Sequence, residues 1–184
     1  VLRHHFIICG FGRVGREVAR ELEREGVPFV VIDDNPEPVR QCAECGHPVI
    51  QGDATSDDAL HDAGIEHARG LIATLDNDAE NTYVTLSARD LRPDLFIVAR
   101  ADAPDAEAKL RKAGADRVLS PYSIGGRHIA SMALRPSVVD FLDNALTSEN
   151  MDFWVEEIEV AIGSALKGVT LGAAEFLAAR GDRA

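Results

Sequence analysis

The chain has 184 residues, of which 46% are hydrophobic, so it can bury a sizeable core and is predicted to be globular. Its net charge of -12 argues against a nucleic-acid partner, because affinity for a polyanion comes mainly from Lys and Arg side chains. The sequence contains no apolar run of the roughly 18 residues that a membrane-spanning helix needs, and no recognisable signal peptide.

The stretch from Phe6 to Gly15 is typical of a buried strand that runs into a glycine turn and then into a helix. Gly10, Gly12 and Gly15 stand in G-x-G-x-x-G register. In that motif the first glycine permits the turn, the second lets the backbone approach a phosphate, and the third lets the helix pack on the strand. The motif by itself is weak evidence for a nucleotide site.

The context of the motif strengthens it. A helix is predicted over residues 13–25, and a second strand over 27–32 ends at Asp33. This aspartate follows the motif by about 20 residues, the spacing of an acid that binds an adenosine ribose. Because the chain is acidic, bound phosphates would need a helix N-terminus and nearby arginines, for which Arg13 and Arg16 are candidates. These features favour a nucleotide site over glycines kept only for packing.

Short apolar strands alternate with helices along the first 120 residues. Four more strands are predicted over residues 48–51, 68–74, 95–99 and 117–119, and four more helices over 36–44, 57–63, 79–91 and 103–113. This alternation predicts an α/β fold, a Rossmann-like doubly wound sheet of six parallel strands in the order 3-2-1-4-5-6.

A ligand crevice is expected beyond the carboxyl ends of the strands, at the switch point between the first and fourth strands. The crevice would collect the glycine turn with Asp33, Asp53, Thr74 and Arg100. Arg100 directly follows a buried strand and could face a phosphate. The alternative is a surface arginine paired with an acid.

The three cysteines, an odd number without a secretion signal, indicate free thiols in a reducing compartment. Cys42 and Cys45 are spaced C-x-x-C, but no second pair completes a zinc site. Inert packing thiols are favoured over a redox or metal role.

Two helices are predicted over residues 122–134 and 137–144, separated by Pro136. They carry more apolar surface than one small domain covers, which indicates a partner subunit. A polar hinge over 147–150 and a strand over 153–162 follow, in a remainder too short for a second core.

Enzyme chemistry is not apparent. A nicotinamide dehydrogenase needs an acid or base beside the transferred hydride, but neither Tyr83 nor Tyr122 has a lysine four residues on, and the lysines lie away from the crevice. We therefore predict no catalytic residue.

Residues 76–80 resemble the opening of a calcium loop, but Asn81 and Ser87 stand where an EF-hand has glycine and glutamate. Capping of the following helix by Asp76 or Asn77 is favoured, and no metal ligand is assigned.

Several stretches in this order resemble the RCK family, also called KTN or TrkA-N, whose cytosolic domains regulate potassium channels and potassium uptake systems. The similar stretches are residues 7–15, 31–33, 52–55, 113–118 and 120–121. Residues 157–168 resemble the opening of the companion RCK-C domain.

The resemblance implies three regions: a nucleotide-binding RCK N-terminal domain over residues 1–120, an intersubunit helical crossover over 121–146, and an incomplete RCK-C domain over 147–184. It also implies a homodimer that assembles into an octameric gating ring. The partner would be a membrane pore domain, in cis or in trans, which would place the chain in the cytoplasm at the inner face of the plasma membrane.

By position, the resemblance implies that Gly10, Gly12 and Arg13 meet phosphates, Asp33 the ribose and Asp53 with Ala54 the adenine, while Thr74 and Arg100 line the crevice. The full predicted nucleotide-binding set is Gly10, Gly12, Arg13, Val14, Asp33, Asp34, Asp53, Ala54, Thr74 and Arg100.

The implied function is a ligand sensor that binds NAD(H), ADP or ATP and gates a potassium channel. Asp33 and Asp34 disfavour a 2'-phosphate and hence NADP. The calcium-gated branch of the family has acids at the positions of Thr74, Arg100 and Asp102, of which only Asp102 is acidic here, so a divalent cation stays open. The alternatives are the regulatory domain of a potassium uptake system or cation:proton antiporter, or an NAD-dependent oxidoreductase.

Overall fold

The computed structural model describes residues 2–136, which form alternating strands and helices. The predicted helix over 137–144, the hinge, the strand over 153–162 and the RCK-C segment lie outside the described residues. The strands are β1 (Phe6–Cys9), β2 (Phe29–Asp33), β3 (Val49–Gln51), β4 (Gly70–Ala73), β5 (Phe96–Arg100) and β6 (Arg117–Leu119). The helices are α1 (Arg13–Arg24), α2 (Pro36–Glu44), α3 (Asp57–Asp62), α4 (Asp78–Leu91), α5 (Pro104–Ala113) and α6 (Pro121–Leu134).

The six strands form one sheet in the order β3-β2-β1-β4-β5-β6, and every pairing in it is parallel. Both the predicted fold class and the predicted strand order are confirmed. Strand β1 lies at the centre, where Phe6 pairs with Phe29 on one side and with Gly70 on the other. The switch point between β1 and β4 therefore lies at the carboxyl end of the central strand.

Helices cover both faces of the sheet. Successive side chains of a strand point to opposite faces, so Ile7 belongs to the larger core cluster and Ile8 to the smaller one. The larger cluster includes buried residues of α3, α4 and α5, and the smaller one includes Ala19 of α1 and Cys42 of α2. This burial on both faces explains why the strands read as continuous apolar runs.

Several strand boundaries differ from the predicted ones by one or two residues, and the starts of two strands have an explanation in backbone hydrogen bonding. Strand β2 begins at Phe29 because the Val27 N–H donates to the Leu22 carbonyl at the end of α1, and Pro28 has no N–H. Strand β4 begins at Gly70 because a 3-10 turn over Ile65–His67, which the sequence did not predict, precedes it.

Helix α6 has no buried residue among those described, and several of its large apolar side chains are exposed. Within residues 2–136, no helix is long and apolar enough to cross a bilayer.

Candidate functional site

The glycine turn joins β1 to α1, and its three glycines have different structural roles. Gly10 has a φ of +95°, a backbone conformation that favours glycine. A methyl group on Gly15 would lie 2.0 Å from the Gly10 carbonyl oxygen, far inside contact distance. Gly12 has a φ of -71°, and a methyl group there would meet no protein atom closer than 3.8 Å. The fold therefore requires Gly10 and Gly15 but leaves open space above Gly12.

Asp33 ends β2 beside this turn and is 8% exposed. One carboxylate oxygen accepts a hydrogen bond of 2.6 Å from the Phe11 N–H, and the other accepts one of 2.9 Å from the Asn35 N–H. Asp33 therefore fixes the position of the glycine turn as well as lying at the crevice. The sequence indicated only a ribose-binding role for Asp33.

A cavity of about 150 Å³ opens next to Asp33. It brings together four of the predicted residues, Asp33, Asp34, Asp53 and Ala54, and adds Thr55, Leu75 and Glu80, which were not predicted. Whole ligands occupy pockets of roughly 300–1,000 Å³, so this cavity matches one end of a nucleotide rather than all of it.

Asp53 keeps its charge at the edge of this cavity. Its carboxylate accepts hydrogen bonds from the hydroxyl and the N–H of Thr55, at 2.7 Å and 2.8 Å. These bonds stabilise the ionised form and lower the pKa of Asp53 below its ordinary value. A cavity lined by carboxylates suits hydroxyl and amino donors, such as those of a ribose and an adenine, and disfavours phosphate.

Thr74 lies after the end of β4 and is buried. Its hydroxyl donates to the Gly10 carbonyl at 2.8 Å and lies 3.1 Å from the Cys9 carbonyl. The side chain therefore ties β4 to the first glycine of the turn, at the place in the crevice that the sequence predicted.

Arg100, the last residue of β5, is 7% exposed and paired with two acids. Its Nε and Nη2 donate to the two carboxylate oxygens of Asp102 at 2.8 Å and 2.9 Å, and its Nη1 donates to Asp76 at 2.7 Å. The guanidinium also lies 5.8 Å from the ring centre of Tyr122. Burial opposes the charge, but the bonds to Asp102 and Asp76 outweigh it and raise the pKa of Arg100. Arg100 thus lies at the crevice and has acid partners there.

The loops after β4 and β5 are locked together by two side chains of α4. The Asn81 side chain accepts from the Leu75 N–H and donates to the carbonyls of Leu75 and Arg100. The Asp78 carboxylate accepts from the N–H groups of Asp102 and Ala103, just before α5. Sequence reasoning missed both bridges, although an asparagine on the same helix face as Val84 and Ala88 is a signal of such a role.

The start of α4 distinguishes the two capping candidates. The Asn77 side chain accepts a hydrogen bond from the Ala79 N–H at 2.8 Å and is the N-cap. Asp76 is therefore not needed as a cap, and its carboxylate instead lies above the glycine turn, 3.8 Å from a methyl group built on Gly12.

The candidate arginines of α1 lie in different surroundings. Arg13 is the first residue of the helix and is exposed, and Val14 beside it is half-buried. The Arg16 Nε donates to the Phe11 carbonyl, and its guanidinium lies 5.8 Å from the Phe11 ring centre. Arg16 lines a separate groove between α1 and α2, of about 650 Å³. Arg13 directly follows Gly12 at the start of α1 and stays the predicted phosphate contact.

All three cysteines are free thiols, as predicted. Burial raises the pKa of Cys9 to about 12 and that of Cys42 to about 11, so neither is a thiolate at neutral pH. Cys45 is exposed. Over residues 2–136, no cluster of three or more His, Cys, Asp or Glu side chains is arranged to hold a metal ion.

Comparisons with a family model, with curated proteins and with solved structures all point to the same family. The model of the TrkA-N domain matches residues 6–121. Potassium channel protein 1 of Methanocaldococcus jannaschii is 45% identical over 150 residues, which are 80% of this chain and 45% of that protein. The glutathione-regulated potassium-efflux system protein KefC of Escherichia coli is 38% identical over 111 residues, 60% of this chain and 18% of that protein.

Solved structures of GsuK are similar as well. The structure bound to ADP has a TM-score of 0.64 and 39% identity, covering 70% of this chain and 33% of that one. The GsuK channel bound to NAD has a TM-score of 0.67 and 36% identity, covering 79% of this chain and 26% of that one. This chain spans less than half the length of the potassium channel proteins it matches. By the extent of the family match and the fold it shares with these structures, the chain belongs to the TrkA-N domain family.

Proposed function

We propose that this chain is the ligand-sensing regulatory part of a potassium channel. It binds an adenine nucleotide, NAD(H) or ADP/ATP, in the crevice between β1 and β4, and passes the binding energy to a membrane pore domain. It acts in the cytoplasm at the inner face of the plasma membrane, as a homodimer assembled into a gating ring. It has no catalytic role.

The observation that carries this proposal is the open space above Gly12. Gly10 and Gly15 are explained by the fold alone, but nothing in the described protein requires the absence of a side chain at Gly12. A glycine there is explained by a ligand that approaches the backbone closely. The acid-lined cavity beside Asp33 then accepts the ribose and base, and the exposed Arg13 at the start of α1 faces the phosphates. GsuK, a similar protein, has structures bound to ADP and to NAD.

The mechanism is a population shift. Turning a gate from about 1% to 99% open requires the ligand to favour one state by roughly 5.5 kcal/mol, so with four to eight coupled sites each contributes only about 0.7–1.4 kcal/mol. Helix α6 begins directly after β6 and exposes Ile124, Ile129 and Met132. Such an apolar helix surface fits the expected crossover to a second subunit.

A second candidate partner is a potassium efflux transporter. The identity to KefC favours it, but the match covers less of this chain than the match to the potassium channel protein. Measurement of potassium and proton flux across the membrane of vesicles that contain the complete protein distinguishes a channel from an efflux transporter. A channel passes potassium ions without exchanging them for protons. An NAD-dependent oxidoreductase would consume NADH in the presence of a substrate, whereas a sensor leaves NADH unchanged.

The binding step is tested by calorimetric titration of the purified chain with NAD, NADH, ADP and ATP. Gly12→Ala should abolish micromolar binding while the unfolding temperature stays unchanged, because the methyl group fits the protein but not a bound phosphate. Gly126→Ala is the matched control, since that glycine is exposed, lies away from the crevice in α6, and has no atom within 4 Å of an added methyl group. Full binding by Gly12→Ala would contradict a nucleotide at the glycine turn.

Arg13→Ala gives an independent check of the phosphate position. We expect weaker binding of all four ligands, and no change for Arg20→Ala, an exposed arginine further along α1 that pairs with Glu17. If none of the four ligands binds to the folded wild-type chain, the proposal as a whole is refuted.

A further inference from the structure

Asp76 has a position that its role in the fold does not explain. Its side chain is 81% exposed, yet the structure holds it by a hydrogen bond of 2.7 Å from Arg100. Both carboxylate oxygens lie 3.8 Å from a methyl group built on Gly12, so they face the space above the glycine turn. The N-cap of α4 is the neighbouring Asn77, which leaves Asp76 without a capping role.

The charge of Asp76 falls where an anionic ligand is expected. The first turn of α1 directly follows Gly12 and contains no acidic residue, so its N–H groups and the positive end of its dipole face the crevice without a counter-charge of their own. Asp76 brings a negative charge to this place from the loop after β4.

Arg100 does not need Asp76 to remain paired. Asp102 already binds its guanidinium through both carboxylate oxygens, and Asp102 is far less exposed than Asp76, at 32% against 81%. Asp76 itself is mostly exposed, and Asp102 would still bind both Nε and Nη2 of Arg100, so loss of the Asp76 contact should leave the fold intact. The carboxylate of Asp76 is therefore expected to affect the affinity of a ligand that binds above Gly12, and not the stability of the fold.

We propose that Asp76 selects ligands by phosphate charge: it disfavours each added negative charge above the glycine turn, so the site prefers adenine nucleotides of low phosphate charge to triphosphates. This proposal rests on the proposed nucleotide site. A highly charged ligand has to displace the carboxylate from Arg100 or bind against it. A nicotinamide dinucleotide or a monophosphate meets a smaller penalty.

The size of the effect follows from Coulomb's law. Two unit charges about 4 Å apart in water-like surroundings interact by about 1 kcal/mol, which is about a fivefold change in affinity. Water-like surroundings apply because Asp76 is mostly exposed. The discrimination should weaken as ionic strength rises, since salt screens exposed charges.

The experiment compares the wild-type chain with Asp76→Asn, using adenosine, AMP, ADP and ATP as probes in the absence of divalent cations. Asparagine keeps the size of the side chain and removes its charge. We expect the affinity for adenosine to be unchanged and the affinity for ATP to rise about fivefold or more, with AMP and ADP in between. The gain should shrink at high salt.

Asp94→Asn is the matched control. Asp94 is also an exposed aspartate, at 78%, and it pairs with an arginine that is 23% exposed. It lies in the loop before β5, at the ends of the strands opposite to the crevice. Its substitution should leave the whole series of affinities unchanged. Thermal unfolding of both variants verifies that they fold, and Asp76→Ser provides a second neutral substitution.

The outcomes separate this inference from the proposed function. If none of the four probes binds to the wild-type chain or to Asp76→Asn, and NAD and NADH also fail in the titration described above, the nucleotide site itself is refuted. The charge-selecting role of Asp76 is overturned if Asp76→Asn changes the affinities for adenosine and ATP by the same factor, or if it weakens the affinity for ATP most. Either result leaves the nucleotide site standing.

Discussion

Substitution of Gly15 by alanine tests how tightly the glycine turn is packed against α1. The added methyl group would lie 2.0 Å from the Gly10 carbonyl oxygen and 3.1 Å from the Thr74 hydroxyl. Both neighbours belong to the hydrogen bond that ties β4 to the turn, so neither can move without breaking it. The helix therefore has to shift outward by more than 1 Å to reach ordinary contact distance.

Two opposing effects set the expected magnitude. Alanine in place of a helical glycine gains up to about 1 kcal/mol from propensity. Overpacking costs about 1–3 kcal/mol, and loss of the Thr74 hydrogen bond costs about 1 kcal/mol more. We expect a net loss of about 2 kcal/mol for Gly15→Ala. Gly126→Ala, at a position of α6 where no described atom lies within 4 Å of the added methyl group, should gain up to about 1 kcal/mol from propensity in the unassembled chain.

Thermal denaturation followed by circular dichroism measures the difference between the two variants. A gap of about 3 kcal/mol corresponds to about 6–12 °C for a chain of this size. Both variants should be measured at the same protein concentration, because assembly would raise the unfolding temperature. An unfolding temperature of Gly15→Ala equal to or above that of Gly126→Ala would show that the turn has room for a side chain and would refute this account of the packing.

Three further predictions concern side chains near the crevice and the core. Asp33→Ala should lower the free energy of unfolding, measured in urea without ligand, by about 1–3 kcal/mol, because the buried Phe11 N–H loses its acceptor. Asp33→Asn keeps one acceptor oxygen and should lose less. Arg100→Lys should cost about 1 kcal/mol in the same assay, since lysine cannot reproduce the two-bond contact with a carboxylate; equal stability would count against that contact. Iodoacetamide at pH 7.5 should modify only Cys45 in the folded chain, as mass spectrometry will report. Cys9 and Cys42, which are buried and whose pKa values are raised by that burial, should react only after unfolding.

The fold could be predicted because its signals are local and repeated. Each strand is a short apolar run, each helix has a recognisable start or stop, and the parallel order follows from their alternation. The boundary of β2 could not be predicted, because it depends on the Val27 N–H turning back to the end of α1, which is a choice made by the tertiary structure.

The sequence predicted where the main chain of the candidate site lies, but it did not predict most of the side-chain contacts there. A glycine motif and an acid at a fixed spacing identify the positions of Gly12 and Asp33, since strand geometry alone brings them together. The partners of Arg100 were not predictable, because Asp76 and Asp102 reach it from two loops whose relative position is set by Asn81 and Asp78. Local sequence carries little information about contacts between loops.

The central position of β1 has a consequence for synthesis. Gly10 and Thr74, which are joined by a hydrogen bond in the native chain, stand 64 residues apart in sequence. At about 5–20 residues per second, a ribosome needs about 3–13 seconds to make this interval. During that time β1 can pair with β2, but its other edge has no partner from its own chain. The yield of folded protein in a cell should therefore depend on how soon β4 emerges from the ribosome, a quantity that equilibrium unfolding does not measure.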